Sequence, residues 1–193
     1  MIHACDADIL LMLFMPDVPA PLDPKTQKPV DRAKERIENL IETLDTERKK
    51  IIIPTPALSE FLARAGVAAP KILDNLNDSA RFKIVPFDER AAVEAAASTY
   101  EAHQAGDKRG GSQSSWSKIK FDRQIVAIAK VENAEVIYSD DDDVRRFAKK
   151  CGIRVIGVSE LPLPPPKQTE MKYDGTEGEA PDLIPPHRKT RPS

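Results

Sequence analysis

The chain has 193 residues, with 29 lysines and arginines against 31 aspartates and glutamates, for a net charge of -2. That length accommodates one α/β domain of about 150 residues with some chain to spare, and the charge excludes the global basic field of many nucleic-acid binders, so any such contact must be local. Cys5, Cys151, His3, His103 and His187 show no zinc-type spacing, and the longest apolar run, Ile9 to Met15, is far short of the roughly 20 residues a membrane span needs, so a cytoplasmic protein with no membrane partner is expected.

The first predicted strand is "IHAC", residues 2 to 5, followed by Asp6, Asp8 and a helix over 8 to 15. Residues 16 to 31 are rich in proline and polar side chains and are expected to form a surface insertion. A helix over 32 to 48 leads to the β-branched run "IIIP" at 51 to 54. Thr55 and Pro56 then start a helix over 56 to 65 that Gly66 stops. Glu60 lies on the flank of that helix's apolar stripe of Leu58, Phe61, Leu62 and Ala65. A helix over 70 to 79, a strand over 82 to 87 and a helix over 88 to 103 follow, and 104 to 118 is expected to be a flexible loop.

Asp122 stands in a helix over 120 to 133, three, four and seven residues before Ile125, Val126 and Ala129. It thereby continues an inward stripe, where a carboxylate is costly unless paired or metal-bound. The strand "EVIYS" at 135 to 139 runs into four consecutive aspartates, Asp140 to Asp143. One or two of them suit the start of the next helix, 142 to 150, where the helix dipole is positive. The others raise one another's pKa unless a cation offsets them. After a last strand at 154 to 158, residues 162 to 193 hold 8 of the chain's 17 prolines and are expected to be a disordered tail following a domain over 1 to 161.

Short β-rich runs alternating with helices predict an α/β fold with a mostly parallel sheet of about five strands. In such sheets the ligand site lies beyond the carboxyl ends of the strands. Asp6 and Asp140 to Asp143 both follow strands, and so are expected on one rim.

Four fragments in order, "HACDADILLML", "IPTPALSEFL", "FDRQIVAIA" and "VIYSDDDD", resemble the PIN domain, the nuclease fold of VapC-type toxins, over residues 1 to 160. The resemblance implies a PIN-like α/β/α sandwich and makes Asp6, Glu60, Asp122 and Asp141 the acidic site, with Asp143 matching a further family acid. Asp8 and Val144 depart from the family pattern, which has Asn or Ser and an aromatic there. Four converging acids suit Mg2+ or Mn2+, hard cations that prefer oxygen ligands. Such ions can activate a water and stabilise the leaving oxygen of a phosphodiester. By resemblance the substrate is single-stranded or loop RNA, with an antitoxin protein and a homodimer as further partners to consider. The expected roles are direct metal binding for Asp6 and Asp122, metal binding for Asp141 and Asp143, and a water-mediated role for Glu60. Ser139 is expected to orient Asp6, with Asp8 and Asp140 in support. Lys118, Lys120, Arg123 and Trp116, close in sequence to Asp122, are candidates to hold phosphate and stack on a base.

Two other readings compete. A haloacid-dehalogenase-type phosphatase would use Asp6 as nucleophile and Asp8 as general acid, but gives Glu60 and Asp122 no task. A PIN-like binding module without catalysis would have little reason to keep the acids.

Overall fold

The computed structural model describes residues 1–165, so most of the expected tail, residues 162 to 193, lies outside the described residues. Strands β1 (Ile2–Cys5), β2 (Lys50–Pro54), β3 (Phe82–Val85), β4 (Ala134–Tyr138) and β5 (Arg154–Ile156) form one sheet in the order β3-β2-β1-β4-β5. Every pairing in it is parallel. The helices are α1 (Ala7–Phe14), α2 (Ala33–Thr46), α3 (Thr55–Ala65), α4 (Ala69–Asp78), α5 (Glu89–Gln104), α6 (Trp116–Val131) and α7 (Asp142–Lys150).

The strands are short, and the inner β1, β2 and β4 are almost wholly buried, the pattern of a parallel sheet covered on each side by helices. Successive side chains along a strand point to opposite faces, and this divides the core in two. Cys5, Ile51, Ile53, Val136 and Tyr138 pack with Ile9, Ile41, Phe61 and Leu76 of α1 to α4. Ala4, Ile52 and Ile137 pack with Ile119, Val126, Ile128 and Phe147 of α6 and α7, and with Ala91 of α5. The result is the expected α/β/α sandwich.

Local signals explain where several helices start and stop. The carboxylates of Asp6, Asp88 and Asp141 and the hydroxyl of Ser115 cap α1, α5, α7 and α6 respectively, each accepting from first-turn amides. Gly66, at φ 54°, closes α3 in a conformation that disfavours any side chain. Helix α6 starts at Trp116 rather than at 120, because Ser115 supplies the cap. Strand β3 ends at Val85, before Pro86, which has no amide hydrogen to continue the ladder. Strand β5 ends at Ile156, and Val158–Glu160 form a short 3-10 turn instead. Within 16 to 31, Leu22 and Pro29 bridge across a turn in which Asp23 accepts from the amides of Lys25 and Thr26 at 2.7 and 2.9 Å.

The register that matters for the site is that of β1, the middle strand of the sheet, on its neighbour β4. Cys5 pairs with Tyr138, and the Asp6 amide donates to the Tyr138 carbonyl at 3.1 Å. Asp6 and Ser139 therefore leave the sheet side by side.

Phe61 of α3 is fully buried and its ring lies 5.8 Å from that of Phe14. Phe61→Ala is expected to lower the unfolding free energy by about 3 to 5 kcal/mol through lost contact and a residual cavity. Urea denaturation would read this as a lower midpoint at unchanged slope.

Candidate active site

Asp6, at the carboxyl end of β1, is 6% exposed. One carboxylate oxygen, Oδ1, accepts from the Ala7 amide at 2.7 Å and the other, Oδ2, from the Ser139 hydroxyl at 2.6 Å. Burial drives its pKa up to about 7 against the pull of those two hydrogen bonds, and the charges of Asp8 and Asp141 add to the rise. The same Ser139 hydroxyl accepts from the Asp141 amide at 3.1 Å. A single hydroxyl thus joins the acid after β1 to the acid after β4.

Asp141 caps α7, with Oδ1 accepting from the amides of Asp143 and Val144 at 2.7 and 3.1 Å. Its Oδ2 meets the Lys118 ammonium at 2.5 Å, and the same ammonium donates to Asp122 Oδ2 at 2.8 Å. Lys118 stands one helical turn before Asp122 on α6, so both side chains rise from one face. Burial raises the Asp122 carboxyl to about 6; the Lys118 hydrogen bond opposes this and the charges of Asp141 and Asp143 reinforce it. Burial lowers the Lys118 pKa, but its hydrogen bonds and charge contacts with Asp122 and Asp141 outweigh that and leave it raised.

Carboxylate oxygens of Asp122, Asp141 and Asp143 lie within 4.8 Å of one another. Asp143 is nonetheless fully engaged. Ser112 and Ser114 donate to its Oδ2 at 2.6 and 2.5 Å, and Arg146 to its Oδ1. Burial would raise Asp143, but the serine hydrogen bonds, Arg146 and Lys118 hold it below the usual carboxylate range.

The remaining acids lie to the side of this cluster. Asp140 turns away, its Oδ1 accepting from the Val158 amide at 2.9 Å, and burial raises its pKa. A Cβ on Gly157 would come within 2.6 Å of that oxygen, so the bare backbone there is what admits the carboxylate. Asp8 accepts from Arg64 at 2.9 Å, and Glu60, with a side chain 55% exposed, lies 4.0 Å from the same guanidinium. Glu60 is therefore outside the three-acid group and borders the rim beside Arg64. The inward stripe of α6 carries Asp122 into the cluster, whereas the flank position of Glu60 on α3 leaves it in solvent.

The basic residues expected at the substrate divide. Lys118 faces the acids and Lys120 is exposed. Arg123 is 4% exposed and turns away, donating to the Thr99 hydroxyl at 3.1 Å and the Lys108 carbonyl at 2.9 Å. Trp116 is half-buried against the core, with the Lys108 ammonium 4.3 Å from its ring centre. Arg123 and Trp116 thus hold the 105 to 115 segment onto α6, and Arg123 is directed away from the acids that it was expected to flank. They follow Ser115, and once α6 begins there its inward face takes them. Ser112, Ser114 and Arg146 carried no signal in the sequence that tied them to Asp143. Arg146 follows it by three residues on α7, but the serines precede it by 31 and 29 positions.

The PIN domain family model matches residues 27–150, and the chain belongs to the PIN-domain family, a family of nucleases. No curated protein matches. Among solved structures the chain is similar to VapBC2 from Rickettsia felis bound to a DNA fragment from its promoter, with TM-score 0.53 and 15% identity over 81% of this chain and 98% of that one. It is likewise similar to DNA-bound VapBC from Salmonella typhimurium, with TM-score 0.50 and 16% identity over 82% and 98%. VapBC-1 from nontypeable Haemophilus influenzae aligns with TM-score 0.51 and 12% identity over 82% and 99%. At these identities the likeness is one of fold. Family membership removes the support for the phosphatase reading, and Asp8, its candidate acid, is paired with Arg64 instead.

The raised carboxyls fix the sign of a pH effect. Asp6 and Asp122 bind protons in the folded chain at pH values where the unfolded chain, with carboxyls near 3.9, has lost them. The metal-free protein is therefore expected to be most stable below about pH 4 as far as these groups are concerned, and to lose stability as pH rises toward 6 and 7. Thermal melts in chelator from pH 4 to 7.5 should show this slope, and Asp6→Asn should flatten its upper part.

Proposed function

We propose that this chain is a divalent-metal-dependent endoribonuclease, cutting phosphodiester bonds of single-stranded or loop RNA in the cytoplasm, as the toxin of a toxin–antitoxin pair. The observation that carries this reading is the approach of Asp122 and Asp141 carboxylate oxygens within 4.8 Å, beside the engaged Asp143, with Asp6 tied to Asp141 through Ser139. The donor set is all oxygen and anionic, the chemistry that Mg2+ or Mn2+ prefers over softer ions. That the Lys118 ammonium settles between Asp122 and Asp141 marks the place as one that draws a cation.

When bound there, the ion supplies an activated water and neutralises charge on the phosphodiester. Asp6, Asp122 and Asp141 would hold it. Ser139 fixes the rotamer of Asp6, while Asp143 serves to position the 105 to 115 segment through its serines and Arg146 more than to offer a free oxygen. Lys118 and Lys120 supply positive charge to the incoming backbone. Glu60 acts from the edge of the rim, through water. The VapBC fold neighbours support an antitoxin partner; a homodimer belongs to the same proposal. Among the described residues no helix is long and apolar enough to cross a membrane, in keeping with an RNA-directed role.

A fluorescent single-stranded RNA should be cut in the presence of Mn2+ or Mg2+ and left whole in chelator. Asp122→Asn should lower the cleavage rate by more than roughly a hundredfold, since changing even the partners of a metal ligand can cost 10- to 100-fold. RNA binding without cleavage at saturating manganese would instead indicate a binding module.

A further inference from the structure

The acids of the rim are balanced by different kinds of group. Asp143 is enclosed by Arg146 and two serines, Asp8 pairs with Arg64, and Asp6 is held by two neutral donors. Asp122 and Asp141 share the Lys118 ammonium, whose side chain is 42% exposed. Asp141 has one oxygen to offer a ligand in the cleft, because Oδ1 is committed to the amides that start α7. Lys118 holds the other.

An ion that binds both Asp122 and Asp141 meets, at Asp141, the oxygen that the ammonium now occupies. Two cations on one oxygen repel strongly at such separations. Without any cation, however, the two carboxylates repel each other. Lysine suits an exchange of this kind. Its ammonium is a compact charge on a flexible stem, readily returned to water, whereas an arginine would grip a carboxylate with two parallel hydrogen bonds.

We propose that Lys118 is an exchangeable internal counter-ion: its ammonium holds Asp122 and Asp141 together in the metal-free protein and is displaced by the divalent ion that binds them. This rests on the metal-dependent reading of the site. Once displaced, the ammonium stays tethered one turn from Asp122, at the mouth where a phosphate would arrive. Lys118 thus both lowers the site's affinity for metal and prevents the empty site from springing apart.

Manganese binding to the wild-type chain and to Lys118→Gln, measured by calorimetry at pH 7.5, tests this. The variant is expected to bind about tenfold more tightly, equivalent to about 1.4 kcal/mol. It should also melt lower than wild type without metal and gain more from saturating manganese. A second measurement uses the unaltered protein. The nitrogen-15 signal of the Lys118 ammonium should move from an ion-paired to a solvated position as magnesium is added, in step with occupancy. Equal affinities together with a Lys118 signal unmoved by saturating magnesium would overturn the proposal and leave the metal site standing. No manganese bound by either protein would overturn both.

Discussion

The parallel pairing of β1 with β4 is the constraint on which the site depends. Cys5 lies opposite Tyr138, so the next residue on each strand, Asp6 and Ser139, emerges at the same edge of the sheet. The chain then turns at once into a helix on both strands, α1 after β1 and α7 after β4. Each turn needs a cap, and in each the cap is an aspartate. Helix starts are positive ends of dipoles, so the fold supplies a favourable field for two carboxylates that would otherwise repel. Ser139 completes the arrangement by donating to one and accepting from the amide of the other.

Much of the fold was legible because strand and helix signals agreed. Three successive isoleucines at 51 to 53 can be satisfied only by burial on both faces of a sheet, and the alternation of such runs with helices leaves few arrangements other than a parallel sandwich. Asp122 was legible for a related reason. It interrupts an apolar stripe at helical spacing, and such an interruption asks for a partner. Lys118 one turn earlier is that partner, but with the helix expected to start only at 120 it lay in the preceding loop as a phosphate candidate, and the Ser115 cap is what brings it onto the helix.

What sequence could not supply were contacts set by loop path. The helix start at Trp116 depends on a single serine cap, and the 105 to 115 segment folds back so that Lys108 lies over Trp116 while its carbonyl accepts from Arg123. Asp143 looked like another member of an acidic run, yet its partners come from serines some thirty residues earlier. No local pattern encodes that pairing. Within the aspartate run, neighbours one residue apart have unlike tasks: Asp140 accepts from the Val158 amide, Asp141 caps α7, Asp142 is exposed, and Asp143 ties down the serines. A turn followed by a helix start points successive side chains in different directions, so one charge repeated four times becomes four environments.

These environments order the acids by how much they need an outside cation. Asp143 needs it least, since a guanidinium and two hydroxyls already surround it and its pKa is lowered. Asp122 and Asp141 come next, sharing one partly exposed lysine. Asp6 has the greatest need: it is buried and held only by neutral donors, and its pKa is raised to about 7. A positive ion near these carboxylates would favour their charged forms, most of all at Asp6, whose two partners are both neutral. The gradient of unmet charge across the rim therefore points toward the junction of β1, β4 and α6, and the sheet's strand order is what puts that junction at a single place.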